Sequence, residues 1–92
     1  MESIIQKEKE CFFCRSPYVH KHHIFFGTAN RRLSDADGMV IWLCPMHHNL
    51  SNLSVHFDHE IDLEVKQMAQ IKWEETYGTR EDFIKRYGKN YL

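Results

Sequence analysis

Cys11-Phe12-Phe13-Cys14 and, after 29 intervening residues, Cys44-Pro45-Met46-His47-His48 are the two stretches on which the reading of this chain turns. Each places two metal-type donors on one short turn. Zinc takes thiolate and imidazole ligands in a tetrahedron, and spacings this short let a single turn supply two of them. Cys11-x-x-Cys14 gives one pair and Cys44-x-x-His47 the other, a Cys3His set that uses all three cysteines. His48 also reaches, from the i+4 position, so the fourth ligand is one of the His47-His48 pair. Free cysteines are common as small core fillers, but that alternative leaves two separate Cys-x-x-ligand pairs in 92 residues to coincidence.

A metal also suits the size of the chain. At this length one domain over residues 1–92 is expected, and small domains bury a thin core. With 27% of residues charged and 42% hydrophobic, a staple beyond packing is expected. Three cysteines cannot all pair within the chain. The start, Met1-Glu2-Ser3-Ile4-Ile5-Gln6-Lys7-Glu8, lacks the apolar core of a signal peptide. No apolar run approaches membrane-spanning length. A reducing, cytoplasmic setting with no membrane partner is expected, and there a Cys-x-x-Cys is a metal clip more often than a disulfide.

The formal net charge of −1 gives no global basic field of the kind that marks many nucleic-acid binders. A phosphate-facing patch would have to be local, and Lys21, Arg31 and Arg32 are its candidates. Residues 51–92 carry six Lys/Arg against eight Asp/Glu, a balance that suits a protein partner better than a phosphate backbone.

Between the two ligand pairs, residues 18–26 are rich in β-branched and aromatic side chains and read as a strand. Gly27 breaks it, and the polar stretch from Thr28 to Gly38 reads as a loop. Met39 to Leu43 reads as a second strand pairing back on the first, and Pro45 suits the first turn of a short helix through His47, His48 and Asn49. Residues 1–10 read as frayed or as a helical turn, and residues 51–60 are ambiguous. Beyond them Ile61, Val65, Met68, Trp73 and Tyr77 recur at helical spacing, with Gly78 placed as the C-cap. Thr79 and Asp82 resemble a capping box for a last helix over Arg80 to Tyr87, closed by Gly88. Phe83, Ile84, Tyr87, Tyr91 and Leu92 are expected to pack on the core.

Seven histidines lie at 20, 22, 23, 47, 48, 56 and 59. Imidazole is both a common metal ligand and a general base near neutral pH. On a strand, His20 and His22 share one face and His23 takes the other. The hairpin would bring His22 or His23 towards His48. His59 reads as a surface residue, and Met68 with the Trp73/Tyr77 stripe as core.

Taken together, Cys-x-x-Cys, His22-His23-Ile24, Leu43-Cys44 and Cys44-x-x-His47-His48 resemble the zinc-ribbed members of the HNH (ββα-metal) nuclease family, over about residues 11–56. The wider arrangement is similar to small HNH-like proteins of phages and prophages. The resemblance implies an α+β fold: a zinc knuckle and ββα core over 11–56, with C-terminal helices over 60–92. It implies a metal-dependent endonuclease hydrolysing DNA phosphodiesters in a bacterial or phage-infected cell. His23 would be the general base. His22 and His48, with His56 as a third candidate, would hold a catalytic divalent cation such as Mg²⁺ or Mn²⁺, distinct from the structural zinc. Arg31 or Arg32 would grip a phosphate. Where the family carries a central Asn that orients the base, this chain has Met39, with Asn30 the nearest candidate substitute. That departure favours, as the alternative, a non-catalytic zinc module that binds nucleic acid or inhibits a protein partner.

Overall fold

In the computed structural model, which describes residues 3–48 and 58–92, the order is β1 (His20–His23), α1 (Thr28–Asp37), β2 (Val40–Leu43), α2 (Pro45–His48), α3 (His59–Thr76) and α4 (Arg80–Tyr87). The fold is α+β. The strands form a two-stranded antiparallel sheet in which His20 faces Leu43, Lys21 faces Trp42, His22 faces Ile41 and His23 faces Val40. Side chains alternate across a strand. His20, His22, Ile41 and Leu43 therefore share one face, and Lys21, His23, Val40 and Trp42 the other.

β1 is shorter than the nine-residue strand expected. Its ladder ends because the Ser34 hydroxyl occupies the backbone of Phe25, donating to the Phe25 carbonyl at 2.7 Å and accepting the Phe25 N–H at 3.1 Å. Ile24 and Phe25 are both fully buried, so the chain bends there instead of alternating in and out.

The stretch expected as a loop is a ten-residue helix, α1. Its inward face is polar, which is why apolar periodicity missed it. Ser34 holds Phe25, the Asn30 side-chain amide donates to the Tyr87 carbonyl at 3.2 Å, and Asp37 is a buried hub. The Asp37 carboxylate accepts from Trp73 Nε1 at 2.8 Å, from the Tyr87 hydroxyl at 2.7 Å, and from Arg86 Nε and Nη2 at 2.6 and 2.7 Å. The Asp37 carbonyl accepts from the Tyr77 hydroxyl at 2.7 Å. Gly38 ends α1 in the left-handed region, φ 72°, where a side chain would be strained.

α3 begins two residues before the apolar pattern, because the Asp58 side chain accepts the N–H groups of Glu60 and Ile61. Gly78 is not its C-cap. Tyr77 takes that position, and a Cβ at Gly78 would meet the Asp82 carboxylate at 2.8 Å. The glycine makes room for the capping box of α4, which is present as expected, with Gly88 left-handed behind it.

The core is made by Ile24, Phe25, Met39, Ile41, Leu43, Val65, Ala69, Trp73, Phe83 and Tyr87. Phe25 is ringed by Phe83, Tyr87 and Tyr91 at centroid separations of 5.2, 4.6 and 5.4 Å. Ile84 and Leu92, expected inside, are exposed, and Tyr77 offers its hydroxyl to Asp37 while its ring stays largely outside. Gln70, fully buried in α3, holds the C-terminal residues by donating to Asn90 and accepting from the Tyr91 N–H.

Residues 3–10 are irregular but not frayed. They run along the outer edge of β2: Ile4 N–H reaches the Gly38 carbonyl at 3.0 Å, and the Gln6 side chain accepts the Trp42 N–H at 2.8 Å. Ile4 and Ile5 pack on the core. An edge strand left bare would present unpaired backbone groups to other chains, and this segment covers it. Among the described residues no helix is long and apolar enough to cross a membrane.

Candidate metal centre and histidine cleft

The knuckle turn is set by its backbone. Cys11 N–H donates to the Ser16 carbonyl at 2.9 Å, Arg15 N–H donates to the Cys11 carbonyl at 2.8 Å, and Arg15 takes a left-handed conformation, φ 63°. Phe12 N–H donates to the Trp42 carbonyl at 2.8 Å, which seats the knuckle beside the end of β2 and hence beside Cys44. On the other side, the N–H groups of His47 and His48 return to the Cys44 carbonyl, the first turn of α2.

These two turns bring Cys11, Cys14, Cys44 and His47 together, with ligand atoms all within 4.8 Å of one another. Cys14 Sγ lies 3.6 Å from Cys44 Sγ, and His47 Nδ1 lies 3.2 Å from Cys44 Sγ and 3.4 Å from Cys11 Sγ. Zinc–sulfur and zinc–nitrogen bonds of about 2.3 and 2.0 Å put tetrahedral ligand atoms roughly 3.5–3.8 Å apart, so the set fits such an ion closely. The three cysteines are free thiols. Burial pushes the Cys11 thiol up, but backbone N–H groups of Cys44, Cys14 and Phe13 aimed at its sulfur outweigh this and bring it down to about 6. For Cys14 the Ser16 N–H pulls down, while the neighbouring Cys11 side chain pushes up and the net shift is upward. Of the two adjacent histidines, His47 joins this cluster.

His48 faces the other way. Its ring lies 5.4 Å from that of His22 and 6.0 Å from that of His20, centroid to centroid. His22 is buried at 2% exposure, whereas His20 is exposed. His22, His23 and His48 line one cleft of about 330 Å³ together with Lys21, Phe26 and Arg31. Of His22 and His23, the two expected to approach His48, His22 is the one whose ring meets it, with the exposed His20 ring beside the pair. Arg32 is exposed and does not line the cleft. His56 lies outside the described residues. His59 opens α3 at the surface. Among the described residues, the Cys3His set is the group in which three or more ligand-type side chains converge.

His23 sits on the opposite sheet face from His22 and enters the cleft from there. Its Nε2 is 3.6 Å from Asp35 Oδ1, and Asp35 is also paired with Lys21 at 3.3 Å. Burial lowers the His23 pKa; Asp35 pulls it up and Lys21 and Arg31 push it down, and the net shift is downward from 6.5. The imidazole is therefore neutral at pH 7 and able to accept a proton. Asp35 was not singled out in the sequence, because only the helix that Thr28–Asp37 forms carries it to His23. Met39 is fully buried in the core, and the Asn30 side-chain amide is committed to the Tyr87 carbonyl.

Comparison of the chain with protein-family models, with curated proteins and with solved structures returns no match. What the site can do follows from its own chemistry.

Proposed function

We propose that the protein is a metal-dependent endonuclease of the HNH type that hydrolyses phosphodiester bonds in DNA, on a ββα-metal scaffold clamped by a structural zinc at Cys11, Cys14, Cys44 and His47. The observation that carries the proposal is the cleft in which His22 and His48 stand face to edge while a neutral His23 and the cationic Lys21 and Arg31 line the same space. Paired metal-type donors, a base and phosphate-binding cations are the parts that metal-assisted phosphodiester hydrolysis needs.

His22 and His48 are the residues that would hold the catalytic cation, with His56 the third candidate. When bound, such an ion supplies Lewis-acid polarisation of the phosphate and neutralises the leaving oxygen. Two imidazoles fit a transition ion such as Mn²⁺ or Ni²⁺ better than Mg²⁺, which prefers oxygen ligands. The chain's own groups do the rest. His23 takes a proton from the attacking water, and the nearby Asp35 carboxylate stabilises the imidazolium that results. Arg31 offers a planar donor fork and Lys21 a point charge to the phosphate.

The test is plasmid nicking by zinc-loaded protein with Mn²⁺, Ni²⁺ or Mg²⁺, beside His23→Ala. Loss of nicking in the variant supports the enzyme. Equal nicking in both removes it. One observation favours a second reading. Met39 is in the core and, among the described residues, no Asn is placed to orient His23, which supports a non-catalytic zinc module that binds nucleic acid or inhibits a protein partner. DNA binding without metal-dependent nicking selects this alternative.

A further inference from the structure

A second and larger cleft, about 780 Å³, runs along the outer edge of β2, where residues 3–10 cover the strand. Trp42 and Val40 line it together with Lys7, Lys9 and Lys21, beside Ser3 and Gln6. No carboxylate lines it among the described residues, although Glu8 and Glu10 belong to the same segment. Lys9 Nζ lies 4.9 Å from the Trp42 ring centroid and Lys21 Nζ 6.0 Å, so the ammonium groups gather over the indole. Lys21 lines both this cleft and the histidine cleft. It stands opposite Trp42 in the sheet register, one residue before His22.

We propose that this cleft binds single-stranded nucleic acid, with a base stacked on Trp42 and neighbouring phosphates on Lys7, Lys9 and Lys21, so that the strand passes over Lys21 into the histidine cleft. This deepens the nuclease reading and rests on it for the direction of the strand. An aromatic floor with a cationic rim is how proteins hold unpaired strands without reading sequence. In a duplex the base faces are already stacked on one another and cannot reach an indole. Lysine supplies point charges and not planar forks, which suits phosphates in any sequence context. Substrates with an unpaired segment, such as flaps, gaps or displaced strands, are therefore preferred over continuous duplex.

The experiment uses zinc-loaded full-length His23→Ala protein without added divalent cation, so that binding is separated from cleavage. The chain has two tryptophans, and Trp73 is buried, so fluorescence quenching reports on Trp42. The probes are a single-stranded DNA 12-mer, its RNA counterpart, the DNA duplex and heparin, with anisotropy of labelled strands for the variants. Single strands are expected to quench and the duplex and heparin not to. A preference between the DNA and RNA strands identifies which nucleic acid the cleft serves. Trp42→Ala should weaken strand binding by about tenfold or more, and Trp42→Tyr should restore most of it. Lys7→Gln with Lys9→Gln should flatten the logarithmic salt slope by roughly 1.4, about 0.7 for each phosphate no longer neutralised. Zinc content and melting temperature confirm that each variant folds. Unchanged strand affinity in a folded Trp42→Ala protein, or equal quenching by duplex or heparin, overturns the proposal. Nicking that survives in the parent without such binding leaves the histidine site standing. Strand binding with no nicking in the parent leaves the cleft standing and removes the nuclease.

Discussion

Replacing Asp37 with asparagine should cost the protein a large share of its stability, although Asp37 belongs neither to the Cys3His set nor to the histidine cleft. The substitution keeps the volume and removes the charge from a carboxylate that accepts from Trp73, Tyr87 and twice from Arg86. It also turns an amide donor towards the guanidinium or towards the ring donors. Removing one partner of a buried pair costs about 3–5 kcal/mol, and charge-assisted hydrogen bonds are worth about 1.5–3 kcal/mol each. Asp37 is 8% exposed, but the Arg86 side chain is 36% exposed, so water can resolvate the arginine. The lower end, about 3 kcal/mol, is therefore expected. For a domain of this size each kcal/mol shifts the melting temperature by about 4–8 °C, so Asp37→Asn should melt roughly 12–24 °C below the parent at pH 7 with zinc bound. Acid should narrow that gap. Burial pushes the Asp37 carboxyl up, but the Arg86, Tyr87 and Trp73 hydrogen bonds outweigh it and hold it below 3.8. A depressed carboxylate contributes stability above its unfolded value and loses it as pH falls through the folded one. The difference between parent and variant should thus be full above about pH 5 and shrink below pH 4. Circular dichroism melts of both proteins across that range make the measurement. A variant that melts within a few degrees of the parent at pH 7 would refute the idea that α1 is docked through this carboxylate.

The adjacent histidines should separate cleanly. His47→Ala should lower bound zinc and unfold the domain, whereas His48→Ala should keep one zinc per chain and lose only nicking, as read by metal analysis beside melting curves. Chelation should melt the parent, because metal binding at such sites supplies on the order of 10 kcal/mol of folding energy; a full-strength transition in zinc-free protein would count against the centre. Nicking should be flat above pH 7 and fall on the acid side, below 6.5, because the shifted His23 must be neutral to accept a proton; a fall towards alkaline pH would remove His23 from the role of base. Mn²⁺ or Ni²⁺ should support faster nicking than Mg²⁺, since imidazole nitrogens suit transition ions; Mg²⁺ superiority would argue for oxygen ligands beyond the two histidines.

Residue chemistry at short spacing was legible without coordinates. Cys11-x-x-Cys14 and Cys44-x-x-His47 are local turns whose donors converge whatever surrounds them. The Thr79–Asp82 capping box and the apolar rise to Trp73 depend on neighbours three or four residues away, and both are present in the fold. α1 was not legible, because the positions it buries are the polar Ser34 and Asp37, so burial left no apolar period to read. Its stability comes from Ser34, Asn30 and Asp37 meeting residues 9, 57 and 49–50 positions distant. Gly78 misled for a related reason: its small size serves the side chain of Asp82, not a left-handed backbone.

The amino-acid order alone settled that four soft donors would meet in two pairs, that His20 and His22 would share a strand face, and that a long amphipathic helix would follow. Those are consequences of backbone periods and of side chains adjacent along the chain. Folding in three dimensions decided which of two neighbouring histidines turns to the thiolates, which carboxylate stands at His23, and that the segment before the knuckle lines a cationic cleft with Trp42. These depend on contacts between segments far apart in sequence, and such contacts leave no period to read.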